Sequence, residues 1–441
     1  MENDSPFTVH CLLFTAHWKP LSPLQPLTPS PLPPPSERRM ALRVSPAAER
    51  AMRGGHPWLF AEAIRHQSFA GKPGDLAVIF DQKRRFLAVG LYDPHSPIRV
   101  RILQVGEQAS IDGEWFAEKV ATAVARRAPL AQPHTTGYRL IHGENDGLPG
   151  LVVDRYDRTL VMKLYTAVWL PHLRDVLDGL TAVTQPQRII LRLSRFAQRH
   201  PEHLYGLENG QLLAGERLKE PLKEPVKFLE NGLHFEVDVV HGQKTGFFLD
   251  QRENRARVEQ LTAGKRVLNV FAYTGGFSLY AARGGASQVI STDLSQPALA
   301  AAMRNFKRNQ DQTAVAACEH EVLVGDAFQA LRQLRETRRL FDVVIIDPPS
   351  FAKRQDEVER ALTAYGRLAR LGLGVLKPGG TLVMASCSSH VTADLFFQTI
   401  HQAAGRAGRP LQEIERTGHP LDHPITFPEG AYLKCLFATV R

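Results

Sequence analysis

The chain has 441 residues, 43% hydrophobic and 22% charged, an ordinary balance for a soluble globular protein of roughly two to four domains. It carries no run of about 18 apolar residues, which argues against a membrane-spanning helix. Its charge of +9 permits a polyanionic partner such as RNA without requiring one. The excess is spread along the chain: residues 1–39 are neutral, 40–224 carry +5 and 225–441 carry +4. Four well-separated cysteines, Cys11, Cys318, Cys387 and Cys435, form no CxxC pair. A disulfide scaffold or cysteine-rich zinc site is therefore disfavoured, and a reducing, cytoplasmic compartment is expected.

Residues 1–39 hold nine of the 30 prolines and predict an extended, mobile tail. The start is acidic and its apolar patch short, unlike a secretory signal. Met40 opens globular character and is a candidate start of translation. Between residues 40 and 112, DLAVIF, RFLAVGLY and PIRVRILQ predict short strands of a small β-barrel. Residues 113–224 read as a separate α+β module. It begins with the helix EWFAEKVATAVARRA. LVVDRYDRTLVMKL then turns at Asp157–Arg158, VWLPHLRDVLDGL predicts a helix, and RIILRLS a strand.

From residue 225 the pattern changes. VKFLENGLHFEVDV places Asn231–Gly232 between alternating strands, a hairpin signal. DQRENRARVEQLTAG predicts a helix ending at Gly264. Short apolar strands then alternate with helices to the C-terminus, the pattern of a parallel sheet covered by helices on both faces. YLKCLFATV predicts a terminal strand or hairpin.

Ligands of such sheets bind at the carboxyl ends of the strands. Four segments carry suitable residues there. NVFAYTGGFS runs from a strand through Gly275–Gly276 into a helix and lets backbone approach a ligand, although its spacing is not GxGxxG. Asp293 ends the next strand, 18 residues beyond Gly275, an offset suited to ribose hydroxyls. Asp326 ends HEVLVGD and could accept from an adenine amino group. Either acid could equally be a helix cap. DPPSF, from Asp347 to Phe351, follows FDVVII, and its two prolines predict a rigid loop presenting a carboxylate.

The order of these four segments resembles a class I S-adenosylmethionine-dependent methyltransferase. GENDGLPGLVVDRY, KTGFFLDQRENR, NVFAYTGGFS, DPPSFAK, SCS and HP…FPEG…YLK resemble more closely the RlmI-like large-subunit (23S) rRNA cytosine-C5 methyltransferases. The resemblance covers about residues 40–441. It implies an α/β architecture: a PUA-like RNA-binding barrel, a middle α+β domain, and a C-terminal Rossmann-like seven-stranded methyltransferase sheet. It implies S-adenosylmethionine as cofactor, held by Asn269, Phe271, Tyr273, Thr274, Gly275, Asp293, Asp326 and Asp347, with Gln251 and Arg252 beside it.

Cytosine C5 is a poor nucleophile, and a thiolate adding to C6 activates it. Cys387 follows the strand TLVMAS, at the rim where a substrate base would lie. An ordinary thiol is only slightly ionised at neutral pH, so the site is expected to promote the thiolate. By position alone, Cys387 would equally be a small packed residue. Asp347 is the candidate partner of the cytosine ring nitrogen or amino group, with Ser350 and Lys353 nearby. Many RNA cytosine-C5 methyltransferases carry a second cysteine after the proline of this loop. Here Pro349 stands there, as in the RlmI-like family, and the base that removes the C5 proton is not identified.

Arg53, Trp58, Arg99 and Arg101 are candidates for an RNA face on the barrel. The histidines show no metal-ligand spacing, so no metal is expected. An exposed edge strand in the middle module would permit a homodimer. Two alternatives stand: an RNA guanine or exocyclic-nitrogen methyltransferase, which needs no cysteine, and a non-catalytic RNA-binding or ribosome-assembly factor.

Overall fold

The computed structural model describes residues 32–215 and 224–441. The expected proline-rich tail lies outside the described residues as far as residue 31. Leu32 already packs against a hydrophobic core, and the Arg38 guanidinium lies 4.2 Å from the centre of the Phe69 ring.

Residues 40–105 form a six-stranded sheet in the order second, sixth, fifth, fourth, first, third. Its first strand, Met40–Val44, pairs parallel to Leu76–Phe80 and antiparallel to Ile64–Gln67. The hairpin between Leu76–Phe80 and Phe86–Tyr92 is turned by Asp81. Its carboxylate accepts the N–H groups of Lys83 (2.8 Å) and Arg85 (2.9 Å), leaving Arg84 at φ 61°. Alternate residues Met40, Leu42 and Val44 fill the interior.

The next sheet has five strands. Helix Gly113–Arg126 covers it, capped by the Asp112 carboxylate on Trp115 N–H, with Trp115, Phe116, Val120 and Ala123 buried at helical spacing. The second expected helix divides. Ala167–His172 is a 3₁₀ turn containing Pro171, and the α-helix runs Leu173–Thr184. Proline has no N–H for the α-helical ladder and fits the tighter first turn. The barrel and this sheet share a core: Leu76, Val89, Leu91 and Leu103 cluster with Phe116, Trp169 and Leu173.

The hairpin Val226–Glu230 and Leu233–Val237 turns at Asn231 (φ 48°) and Gly232 (φ 81°), as its Asn-Gly pair predicts. Beyond it lies a seven-stranded sheet, in the order Glu319–Val324, Gln288–Asp293, Arg266–Val270, Phe341–Ile346, Leu376–Ser386, Lys434–Val440, Leu411–Thr417. The first five are parallel, and Lys434–Val440 is antiparallel to both neighbours. Strand order reverses beside Arg266–Val270, which opens a crevice at the carboxyl ends. The expected DQRENRARVEQLTAG helix is shorter, Arg252–Glu259, and Gly264 (φ 70°) ends the turn after it.

The middle and last modules are joined by buried charge. Asp422 accepts from the Arg252 guanidinium (2.7 and 3.2 Å) and from Arg139 N–H (2.8 Å), while Arg127 donates to its carbonyl (3.0 Å). Asp422 is 0% exposed. Removing one partner of such a pair leaves an uncompensated charge. Asp422→Ala is therefore expected to cost about 3–5 kcal/mol in urea unfolding.

Candidate active site

At the reversal point lies a cleft of about 510 Å³. One wall is the turn from strand Arg266–Val270 to helix Gly276–Arg283. Two of its non-glycine residues, Phe271 (φ 63°) and Tyr273 (φ 48°), are left-handed, as is Gly275 (φ 78°). Surrounding bonds hold this conformation. Tyr273 N–H donates to Asp293 Oδ2 (2.9 Å), Ala272 N–H to the Thr292 carbonyl (3.0 Å), and Asn305 Nδ2 to the Thr274 carbonyl (2.9 Å). A Cβ on Gly275 would meet Ala302 Cβ at 2.8 Å, so glycine is needed for the helix contact as well as for φ.

Phe271, Tyr273 and Thr274 line the cleft, and Gly275 lies behind them. Asn269 is buried beneath the turn. Its Nδ2 donates to Ser278 Oγ (2.8 Å), and its Oδ1 has no partner among the described residues. Asp293 and Asp326 both line the cleft. Asp293 Oδ1 also accepts Ser295 N–H (2.8 Å), and Asp326 caps the helix Ala327–Glu336 through Gln329 N–H (3.1 Å). Capping and lining thus coexist. Carboxylate oxygens have two lone pairs each, so both acids keep acceptor capacity for a ligand.

At the other end, Asp347, Pro348, Pro349 and Cys387 share the cleft with Lys244, Asp250 and Gln251. Two serines lock the loops together. Ser388 Oγ lies 2.8 Å from Ser350 Oγ and accepts Ala352 N–H (3.2 Å). Lys244 Nζ donates to Asp250 Oδ2 (2.5 Å), which also accepts from the Tyr432 hydroxyl (2.9 Å). Gln251 is buried, its Oε1 accepting from Asn254 Nδ2 (2.6 Å). Arg252 points out of the cleft to Asp422.

Burial sets the electrostatics here. It pushes Asp347 up to about 7, reinforced by the Asp250 charge and opposed by Lys244. It pushes the Cys387 thiol up to about 11, where Lys244 and Lys434 oppose it and Asp347 and Asp250 add to it. Burial also drives Lys434 down to about 8. For Asp250 burial acts upward, but Lys244 and His423 outweigh it and hold the carboxyl below its usual range. The expectation that the site promotes a thiolate is therefore not met in the free protein. Burial thus favours the neutral thiol in the free cleft.

Lys244, Asp250, Tyr432 and Lys434 were not singled out by sequence reasoning. Their signal was a lysine and an aspartate bracketing the apolar run TGFFL, and the late YLK. Of the four barrel residues, Trp58 lies opposite Arg101 across two strands and Arg99 and Arg101 both bond Asp93, whereas Arg53 ends the helix Pro46–Arg53. Arg53 is exposed and paired with Glu49 (3.0 Å) and Asp81 (3.3 Å). Trp58 Nε1 donates to Glu144 of the middle module (2.9 Å). Arg99 binds the carbonyls of Asp93 and Pro94. Arg101 is 6% exposed and paired with Asp93 (3.2 Å). Among the described residues no His/Cys/Asp/Glu group suited to a metal is present, and no helix is long and apolar enough to cross a membrane.

The raised Asp347 makes a stability prediction. A carboxyl whose folded value lies above its unfolded one, near 4 in model peptides, favours folding when protonated. That contribution is fully present below about pH 4 and is lost as pH rises from there through about 7. Asp347→Asn is expected to raise the melting temperature at pH 8.5 and, by less, at pH 5, in thermal melts of both proteins.

Known proteins agree with this geometry. A family model for S-adenosylmethionine-dependent methyltransferases matches residues 194–438, and one for PUA-like domains matches residues 42–104. The chain is 49% identical over 407 residues to a ribosomal RNA large subunit methyltransferase of Deinococcus radiodurans, covering 91% of this chain and 98% of that one. It is 38% identical over 406 residues to the ribosomal RNA large subunit methyltransferase I of Pseudoalteromonas translucida, covering 91% and 99%. A solved S-adenosylmethionine-dependent methyltransferase of Streptococcus mutans shares the fold, with TM-score 0.75, 24% identity, 91% of this chain and 100% of that one. A second such structure contains S-adenosylhomocysteine (TM-score 0.75, 23% identity, 91% and 100%). From the cleft, the sheet order and these matches together, the chain belongs to the ribosomal RNA large subunit methyltransferase I family of S-adenosylmethionine-dependent methyltransferases.

Proposed function

We propose that this enzyme methylates C5 of a cytosine in large-subunit (23S) rRNA through a transient bond between Cys387 and C6. The supporting observation is that Cys387 and Asp347 line the same cleft as Asp293 and Asp326. The cofactor's fit rests on this chain's own groups. Asp293 and Asp326 offer acceptors to ribose and adenine, Phe271 and Leu294 offer apolar surface, and the buried Thr274 hydroxyl is without a partner among the described residues. When bound, S-adenosylmethionine supplies an electrophilic methyl group that an activated C5 can take.

The residues supply the activation. Cys387 gives its proton to solvent through the open cleft as its sulfur bonds to C6, sending electron density to N3. Asp347, poised near 7, is protonated in a large fraction of molecules at neutral pH and gives its proton to N3. C5 gains the methyl group and then gives up its own proton to solvent. The S–C6 bond breaks, the thiolate leaves, and N3 returns its proton to Asp347. Lys244 and Lys434 each favour the thiolate, so excluding water from the cleft strengthens their hold on it.

RNA reaches this cleft past the middle module. Lys163 donates to the Lys244 carbonyl (3.4 Å) and lies over the Tyr165 ring (5.2 Å), which is 46% exposed. A lysine lying over a half-exposed tyrosine beside the site is a combination suited to phosphate and base. The base would enter the cleft flipped out of its stack.

One observation favours a second reading. The neutral thiol of the free protein is what an exocyclic-nitrogen methyltransferase, which has no use for a nucleophilic cysteine, would show. Unmodified large-subunit rRNA, incubated with S-adenosylmethionine and wild-type or Cys387→Ala enzyme and mapped by mass, separates the two. A single 5-methylcytosine made by wild type, with at least a thousandfold loss in the variant, is expected. A nitrogen-linked mark that survives loss of the thiol would replace the C5 reading with the second.

A further inference from the structure

Asp250 lies in the cleft beside Asp347 and Cys387 and is 2% exposed. Its two oxygens differ. Oδ2 receives both local donors, Lys244 Nζ and the Tyr432 hydroxyl. Oδ1 is buried and has no hydrogen-bond partner among the described residues. Buried polar atoms are nearly always paired, and leaving one unpaired is costly. The protein directs its two nearby donors to the other oxygen, which leaves Oδ1 for a donor from outside the chain.

The neighbouring acid narrows the choice. The Asp250 charge is one of the causes that raise Asp347. Two carboxyls in one cleft do not both ionise freely, and Lys244 decides that Asp250 is the charged member. The pair therefore presents one O–H donor and one carboxylate acceptor within the same cleft. Cytosine carries the complement on one edge, an acceptor at N3 next to the donating 4-amino group. Uracil carries the reverse, N3–H next to O4.

We propose that Asp250 is a specificity-determining residue, its free Oδ1 accepting a hydrogen bond from the 4-amino group of the target cytosine while Asp347 holds N3. This rests on the cytosine reading above. In an Asp250→Asn variant, the amide oxygen has to face Lys244 and Tyr432, which turns the NH₂ group towards the base. The variant thus opposes the 4-amino group and accepts a carbonyl at C4.

The test uses the full-length enzyme and an rRNA fragment containing the target cytidine, located from the wild-type product. The same fragment is made with that cytidine replaced by a 2-pyrimidinone ribonucleoside, which lacks only the amino group. Methylation of both is followed for wild type and Asp250→Asn, and S-adenosylmethionine binding is measured by calorimetry. Wild type is expected to prefer cytidine by about tenfold to a hundredfold, the scale of leaving one buried polar group unpaired. In the variant the ratio is expected to fall to about one or below, with cofactor affinity within about threefold of wild type.

An unchanged ratio in the variant would overturn the proposal. So would a large loss of cofactor affinity with the ratio intact, which would assign Oδ1 to the cofactor's ammonium group. If the variant does not fold, wild type alone decides: equal rates on the two fragments would mean that the amino group is not recognised. The product's chemistry reports separately. A mark at a position other than C5 would sink the catalytic reading, whereas the substrate ratio reports only the amino contact.

Discussion

The buried carboxylate of Asp422 holds this molecule in register. It comes from the loop before the last strand, yet it binds Arg252 at the start of the helix behind the cleft and the backbone of Arg139 in the middle module. Asp250 and Gln251 immediately precede Arg252, so that ion pair fixes one wall of the site through the chain itself. Paired buried charges contribute little net stability compared with an apolar substitute, but they tolerate only one arrangement. Here that arrangement sets where Lys244 and Asp250 stand relative to Cys387.

Within the cleft, a low-dielectric environment distributes protons among groups that would all be charged in water. Asp250 keeps its charge because Lys244 is 2.5 Å away. Asp347 has no such lysine contact and is pushed towards neutrality. Cys387 stays a thiol for the same reason. In the free cleft, then, burial favours the protonated forms of both Asp347 and Cys387. The hydrogen bond between Ser350 and Ser388 ties the loop that carries Asp347 to the loop that carries Cys387.

Much of this was legible in the residues. Parallel strands covered by helices show as short apolar runs, and the carboxyl-end acids Asp293, Asp326 and Asp347 stand at strand ends that the pattern marks. Asn231–Gly232 announced its hairpin because only a few residues accept two left-handed positions. What could not be read depends on pairing across long separations. Nothing local says that Arg252, next to cleft residue Gln251, turns away to a carboxylate 170 residues later. Nor does Arg101, on an alternating strand, show that Asp93 buries its charge. The split of the second middle-module helix at Pro171 was visible in principle, since proline belongs in a first turn or outside an α-helix.

The barrel and the middle module differ in sequence pattern but not in energetics. Leu76, Val89, Leu91 and Leu103 of the barrel close the same apolar interior as Phe116, Trp169 and Leu173. Such a boundary resists the cut-and-paste exchange by which lineages usually vary attached modules. A replacement barrel would have to match those four side chains in volume and position, or leave voids in a core that packs at crystal density. Substitutions in the loops and outward faces of the barrel, by contrast, leave that shared interior undisturbed.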